Sequence, residues 1–109
     1  MTLEQVRRYA LSLPEGKEEP HFDRTSFRVR GKIFITARPG ESHIHVFVPE
    51  QVREPFLAMH PAIASKLLWG GKVVGLRVEL QKAPAALVKE LVRSAWESRA
   101  PKALHGVKP

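Results

Sequence analysis

The chain contains no cysteine at all, which excludes disulfides, thiolate metal sites and cysteine nucleophiles together. It also lacks long apolar runs. Stretches such as Ile33-Phe34-Ile35 fall far short of the roughly 20 residues that cross a bilayer. The opening Met1-Thr2-Leu3-Glu4 has no basic start leading into an apolar run, so no signal peptide is expected, and a cytoplasmic location is the default expectation. Repeats, low-complexity tracts and Gly/Ser linkers are absent too. Acid is scarce in the second half: residues 55–109 carry 9 basic and 3 acidic groups, whereas residues 1–54 carry 9 and 8.

What is present reads as one globular domain spanning residues 1–109. Hydrophobic residues make up 43% and charged residues 27% of 109, and a chain of this length buries roughly two-thirds of its unfolded surface. Lys and Arg number 18 against 11 Asp and Glu, a formal charge of +7. A polyanion is the natural partner of such a surface, although basicity also serves solubility alone.

Local patterns give an element order. Thr2 and Gln5 form a capping-box pattern ahead of Leu3, Val6, Ala10 and Leu13 at helical spacing, and Pro14 stops that helix. Residues 15–23 read as a polar, acidic turn. Three alternating strands follow at 24–30, 32–38 and 43–48, punctuated by Gly31 and Pro39-Gly40. Parity favours an odd first loop with a bulge at Gly31, which keeps Phe27, Val29, Ile33 and Ile35 on one face. A helix runs from Pro49-Glu50 toward Met59, either kinked at Pro55 or beginning near Glu54. A short apolar helix is expected over 61–68, then a strand over 73–80 with Val74, Leu76, Val78 and Leu80 inward. The last helix follows Pro84, with Leu87, Val88, Leu91, Val92 and Ala95 as its apolar stripe, Trp96 at its edge, and a stop before Pro101. One more turn over 101–105, closed by Gly106, leads into a short basic tail from about Arg99 that includes Lys102 and Lys108. Sequential hairpins followed by helices predict a two-layer α+β fold in α-β-β-β-α-β-α order. Its antiparallel sheet has four or five strands, with helices on one face.

Ala10-Leu11-Ser12-Leu13-Pro14, Pro20-His21-Phe22-Asp23, Ser26-Phe27-Arg28-Val29 and Gly31-Lys32-Ile33-Phe34, with Ser94-Ala95-Trp96 and Ala100-Pro101-Lys102 near the end, together resemble the MmcQ/YjbR family. The resemblance runs over roughly residues 3–104. It implies a two-layer α+β fold similar to frataxin-like and secretion-chaperone-like domains, and the family is commonly labelled DNA-binding. Its relatives often carry a Gly-Trp pair entering the fourth strand. Here that stretch reads Lys72-Val73-Val74-Gly75, so any role of that tryptophan is missing or has passed to Trp69.

The helix-free face that parity predicts carries Arg24, Ser26, Arg28, Lys32, Phe34, Thr36, Arg38, His43, His45, Phe47 and Arg77. Cations two residues apart along strands can follow a phosphate backbone, and Phe34 and Phe47 can stack on bases. The bland alternative is a solvated or self-associating face. The expected nucleic-acid contacts are Arg24, Arg28, Lys32, Phe34, Arg38, Phe47, Lys72, Arg77, Arg99 and Lys102, made without sequence preference. The competing reading is a homodimer or an acidic protein partner on the same face.

Other constellations point to less. His43 and His45 face the same way, but two imidazoles do not make a metal site, and no metal or cofactor is expected. Pro20-His21-Phe22-Asp23 offers a His–Asp pair with no nucleophile beside it, so Asp23 reads as a turn cap and Phe22 as a plug at the core edge. Trp69-Gly70-Gly71-Lys72 lacks the helix that a phosphate-binding loop requires, and reads as a tight turn. No catalytic set emerges, and the expectation is a binding domain rather than an enzyme.

Overall fold

The computed structural model describes residues 1–106. Its elements run α1 (Leu3–Ser12), β1 (Gly16–His21), β2 (Arg24–Val29), β3 (Lys32–Ala37), β4 (His43–Val46), α2 (Glu50–Met59), β5 (Ala64–Trp69), β6 (Lys72–Glu79) and α3 (Ala85–Arg99), with a 3-10 turn at Lys102–Leu104. The capping box starts α1 as expected: Gln5 N–H donates to Thr2 Oγ1 at 3.2 Å, and Thr2 N–H donates to Gln5 Oε1 at 2.9 Å. The strands form one sheet of six in the order β1-β2-β3-β4-β6-β5, with every neighbouring pair antiparallel.

The α+β class stands, with more strands than expected. The acidic stretch read as a turn forms β1, pairing from Gly16↔Val29 to His21↔Arg24. As an edge strand it needs no apolar face, and Lys17, Glu18, Glu19 and Pro20 suit an edge that resists further pairing. The segment read as a short apolar helix forms β5, paired along β6 from Ala64↔Val78 to Trp69↔Lys72. A short apolar run does not distinguish a helix from a strand, and here pairing with β6 decides it. Helix α2 starts at Glu50 and carries Pro55 inside it. Gln51, the residue four before Pro55, is exposed, so water can take the carbonyl that Pro55 leaves without a donor.

The first hairpin corrects the expected loop. Arg30 and Gly31 have φ of 51° and 79° and form a two-residue turn whose positive dihedrals suit the strand twist. The parity switch lies further on. Phe27 pairs with Ile35 and Arg28 with Ile33, so Phe34 is the extra residue of a bulge. Phe34 and Ile35 are therefore successive core residues, both 0% exposed, and Ile33 falls beside Arg28 on the other face.

Phe27, Val29, Ile35, Ala37, Ile44, Val46, Leu76 and Val78 form the buried side of the sheet, packed with Val6, Ala10, Leu13, Val88, Leu91, Val92, Ala95 and Trp96 from the helices. Trp96 is not at the edge of its stripe. It is 0% exposed, and its Nε1 donates to Pro14 O at 3.0 Å. That bond ties α3 to the end of α1, and the indole is among the largest buried side chains. Phe22 is not a core plug either: it is 94% exposed, at φ 58° in the β1–β2 turn. Leu3 and Tyr9 of α1, Val52, Phe56 and Leu57 of α2 and Leu87 of α3 pack against this same core, which leaves the other side of the sheet as its helix-free face.

Candidate nucleic-acid interface

Register defines the helix-free face. One transverse row crosses all six strands as Glu19–Ser26–Thr36–His45–Arg77–Ser65. In antiparallel pairing, directly opposed residues share a face, so this entire row is polar. The next row holds Lys17, Arg28 and Ile33 on β1–β3, and Gly75 with Leu67 on β6 and β5. Phe47 follows β4 in alternation with His43 and His45, and its N–H donates to Phe34 O at 3.0 Å. Along β5, counting from Ser65 puts Leu67 and then Trp69 on this side, with Lys72 directly across from Trp69.

The lower half of the face is a polar network in which Arg24 Nη2 and Glu41 Oε2 are buried without a hydrogen-bond partner among the described residues. Arg24 Nε donates to Thr36 Oγ1 at 3.3 Å, and Thr36 Oγ1 lies 3.4 Å from His45 Nδ1. Thr36 can accept from the arginine and donate to the imidazole, which makes Nδ1 the acceptor. Burial chiefly, then the electrostatic influence of Arg24 and His43 and, least, of Arg77, pushes the His45 pKa down to about 4, against an opposing pull from Glu41. His45 is neutral at pH 7, consistent with an accepting Nδ1.

Glu41, on the β3–β4 connection, is the hub of the network. Its carboxylate lies 3.6 Å from Arg24 Nη1, 3.2 Å from Arg38 Nη1 and 3.0 Å from His43 Nε2. Arg77 Nη2 approaches His43 Nδ1 at 3.3 Å and Glu79 Oε1 at 3.2 Å. Because a guanidinium only donates, Nδ1 of His43 accepts from Arg77, and Nε2 lies beside the Glu41 carboxylate. Arg38 also binds Asp23. On the β1 side, Arg28 Nε donates to Ser26 Oγ at 2.8 Å and lies 3.8 Å from Glu19.

The residues expected to meet nucleic acid therefore divide. Arg24, Arg28, Phe47, Lys72 and Arg77 share the helix-free face, but Arg24, Arg28 and Arg77 each have a carboxylate neighbour. Phe34 is excluded, because the bulge turns it into the core. Lys32 pairs with Val29 at the end of the sheet, on the parity of the buried side. Arg38 lies beyond β3, held by Asp23 and Glu41. Arg99 is the last residue of α3 and Lys102 opens the 3-10 turn that follows it, in the helix layer rather than on the face of Arg24 and Arg77. Lys108 lies outside the described residues.

Sequence reasoning missed Lys17, Glu41 and the placement of Trp69. Lys17 sits in a segment read as a turn, and Glu41 acts through a loop that strand alternation does not reach. Trp69 became visible only once 64–69 paired as a strand. Among the described residues, Lys17 and Lys72 form no ion pair, and Trp69 is 79% exposed.

His21 on β1 and His45 on β4 are separated by β2 and β3, a span of about 14 Å at the usual strand spacing, so they do not converge. Among the described residues no three His, Asp or Glu side chains are placed to hold a metal ion. No described helix is long and apolar enough to cross a membrane.

A six-stranded antiparallel sheet with helices on one side and a polar, cation-bearing face on the other defines a two-layer α+β domain. The YjbR family model matches residues 11–98, and the chain belongs to the YjbR family. The crystal structure of Deinococcus radiodurans protein DR2400, described as a DUF419 domain, shares this fold. It matches with a TM-score of 0.73 at 22% identity, over 86% of this chain and 75% of that one. No curated protein matches the chain.

Proposed function

We propose that this chain is a non-enzymatic domain that binds nucleic acid without sequence preference across its helix-free sheet face. The observation that carries the reading is the register, which gathers Lys17, Arg28, Lys72 and Arg77 with Phe47 and Trp69 on one side of the sheet. Lysines without carboxylate partners can exchange condensed counterions for phosphate contacts, and exposed rings can stack on bases. The DNA-binding label of the family it resembles agrees with this reading, although fold alone does not assign function.

Relative to the sequence-based site, Phe34, Lys32, Arg38, Arg99 and Lys102 drop out, and Lys17 and Trp69 enter. Arg24 serves the face by organising Thr36 and Glu41 rather than as a free phosphate contact. The test is fluorescence anisotropy of a labelled oligonucleotide across a salt series. Contacts from Lys17, Arg28, Lys72 and Arg77 predict affinity that falls steeply with salt, with a log–log slope of about −0.7 per phosphate on a single strand. Absence of binding at low salt contradicts the reading.

The unpaired outer edge of β5 favours a second reading, self-association through that edge. Light scattering across a concentration series separates the two: a dimer with no oligonucleotide affinity supports the second and defeats the first.

A further inference from the structure

We infer that the nucleic acid taken by this face is single-stranded, with Trp69 as its base-stacking platform. The inference rests on the reading above and adds the class of ligand. Trp69 and the neighbouring Leu68 are among the large apolar side chains left exposed, at 79% and 60%. They sit at the end of β5, where alternation turns Trp69 toward the helix-free face and Leu68 away from it. Lys72 stands directly opposite Trp69 across the hairpin, which puts a cationic residue at the neighbouring position of the same face. A base stacked on the indole would have its phosphate within reach of that lysine. Phe47 and Leu67 extend the apolar ground inward, both half-buried. Gly75 lies between them on β6, buried under the Val46 and Phe47 main chain, so the accessible part of this ground is its outer end at Trp69.

Nothing comparable suits a duplex. The β5–β6 tip is Gly70-Gly71, with φ of 57° and 78°. A glycine tip brings no cation into a minor groove, where arginine or lysine would be needed. Major-groove reading asks for a helix with a basic exposed side. Helix α3 sets Arg93 against Glu97 at 3.1 Å and α1 sets Arg7 against Glu4 and Glu18, which leaves Arg8, Lys89 and Arg99 as the exposed cations of these helices without a carboxylate partner among the described residues. A sheet face bearing an exposed indole, a half-buried phenyl ring and flanking cations is a platform for splayed bases. From β5 to β1 the face spans about 24 Å, room for several nucleotides between Trp69 and Lys17.

The two tryptophans make the experiment direct, because Trp96 is 0% exposed and Trp69 is the solvent-facing one. Oligo(dT) and a mixed-sequence duplex of equal length are titrated at low salt, with intrinsic fluorescence and anisotropy as readouts. The expected result is quenching by oligo(dT), absent in Trp69→Phe at the same degree of saturation, and at least tenfold weaker binding of the duplex. Trp69→Ala should weaken oligo(dT) about tenfold, and Trp69→Phe less. Because the side chain is exposed, both variants keep the core. Duplex binding as tight as oligo(dT), or Trp69→Ala with unchanged oligo(dT) affinity, overturns the single-strand inference and leaves the nucleic-acid reading standing. Failure of both probes to bind overturns both.

Discussion

The guanidinium of Arg24 and the carboxylate of Glu41 meet at 3.6 Å across the rim of the helix-free face, and Arg38 and His43 close on the same carboxylate. One acid thus holds two arginines and an imidazole, with Arg24 only 15% exposed at its side chain. Glu41→Gln keeps the shape and removes the charge. It should destabilise the domain by about 1–3 kcal/mol, the scale for losing a charged partner of a shielded group. It should also tighten oligonucleotide binding, because Arg24, on the helix-free face, loses a competing anion. Urea unfolding and anisotropy check the two effects; an unchanged midpoint with unchanged affinity contradicts the role given to Glu41.

His45 gives a pH dependence with a definite sign. Its folded pKa of about 4 lies below the ordinary 6.5, so between these values the unfolded chain binds the proton and the native state does not. The histidine's contribution is fully present above pH 6.5, declines as pH falls toward 4, and changes no further below that. His45→Gln should flatten the wild-type stability profile between pH 6.5 and 4. An imidazole titration by NMR with a midpoint near 6.5 contradicts the assignment.

Trp96, on the helix side of the sheet, tests the fold. Trp96→Ala should cost about 3–5 kcal/mol in urea unfolding, through lost burial and the cavity left behind. Trp96→Phe should cost less, since it keeps most of the ring volume but leaves Pro14 O without its donor.

Gly75 marks a close approach rather than a turn. A Cβ there would lie 2.3 Å from Val46 O and 3.1 Å from Phe47 Cα, and backbone atoms cannot move aside cheaply. Gly75→Ala should destabilise by about 1–3 kcal/mol. A neutral change in the unfolding midpoint contradicts the packing described between β4 and β6.

Much of this architecture was legible because periodicity and capping report local structure. The Thr2–Gln5 box, the Leu87-to-Ala95 stripe and the alternation of Ile44, Val46 and Val48 all carry through to the structure. What failed was non-local. Residues 16–21 become a strand because β2 offers them a partner, and 64–69 because β6 does. Placing the bulge at Gly31 rather than Phe34 mis-assigned one aromatic, since a one-residue offset moves a side chain from solvent to core. Glu41 carries no signal in the pattern: only the folded loop brings it to Arg24. The candidate face was therefore legible as a stripe of strand cations, while their neutralisation by loop and edge-strand acids was not.

The central claim is that one side of the sheet, rather than net charge, binds nucleic acid. The most direct measurement is oligonucleotide affinity at low salt for two charge-matched double variants, Arg28→Glu/Arg77→Glu on the helix-free face and Arg99→Glu/Lys102→Glu in the helix layer. The account predicts that the first abolishes binding, while the second weakens it only by the small, salt-screened effect of overall charge. Equal losses from both variants, or binding that survives the first, would contradict it.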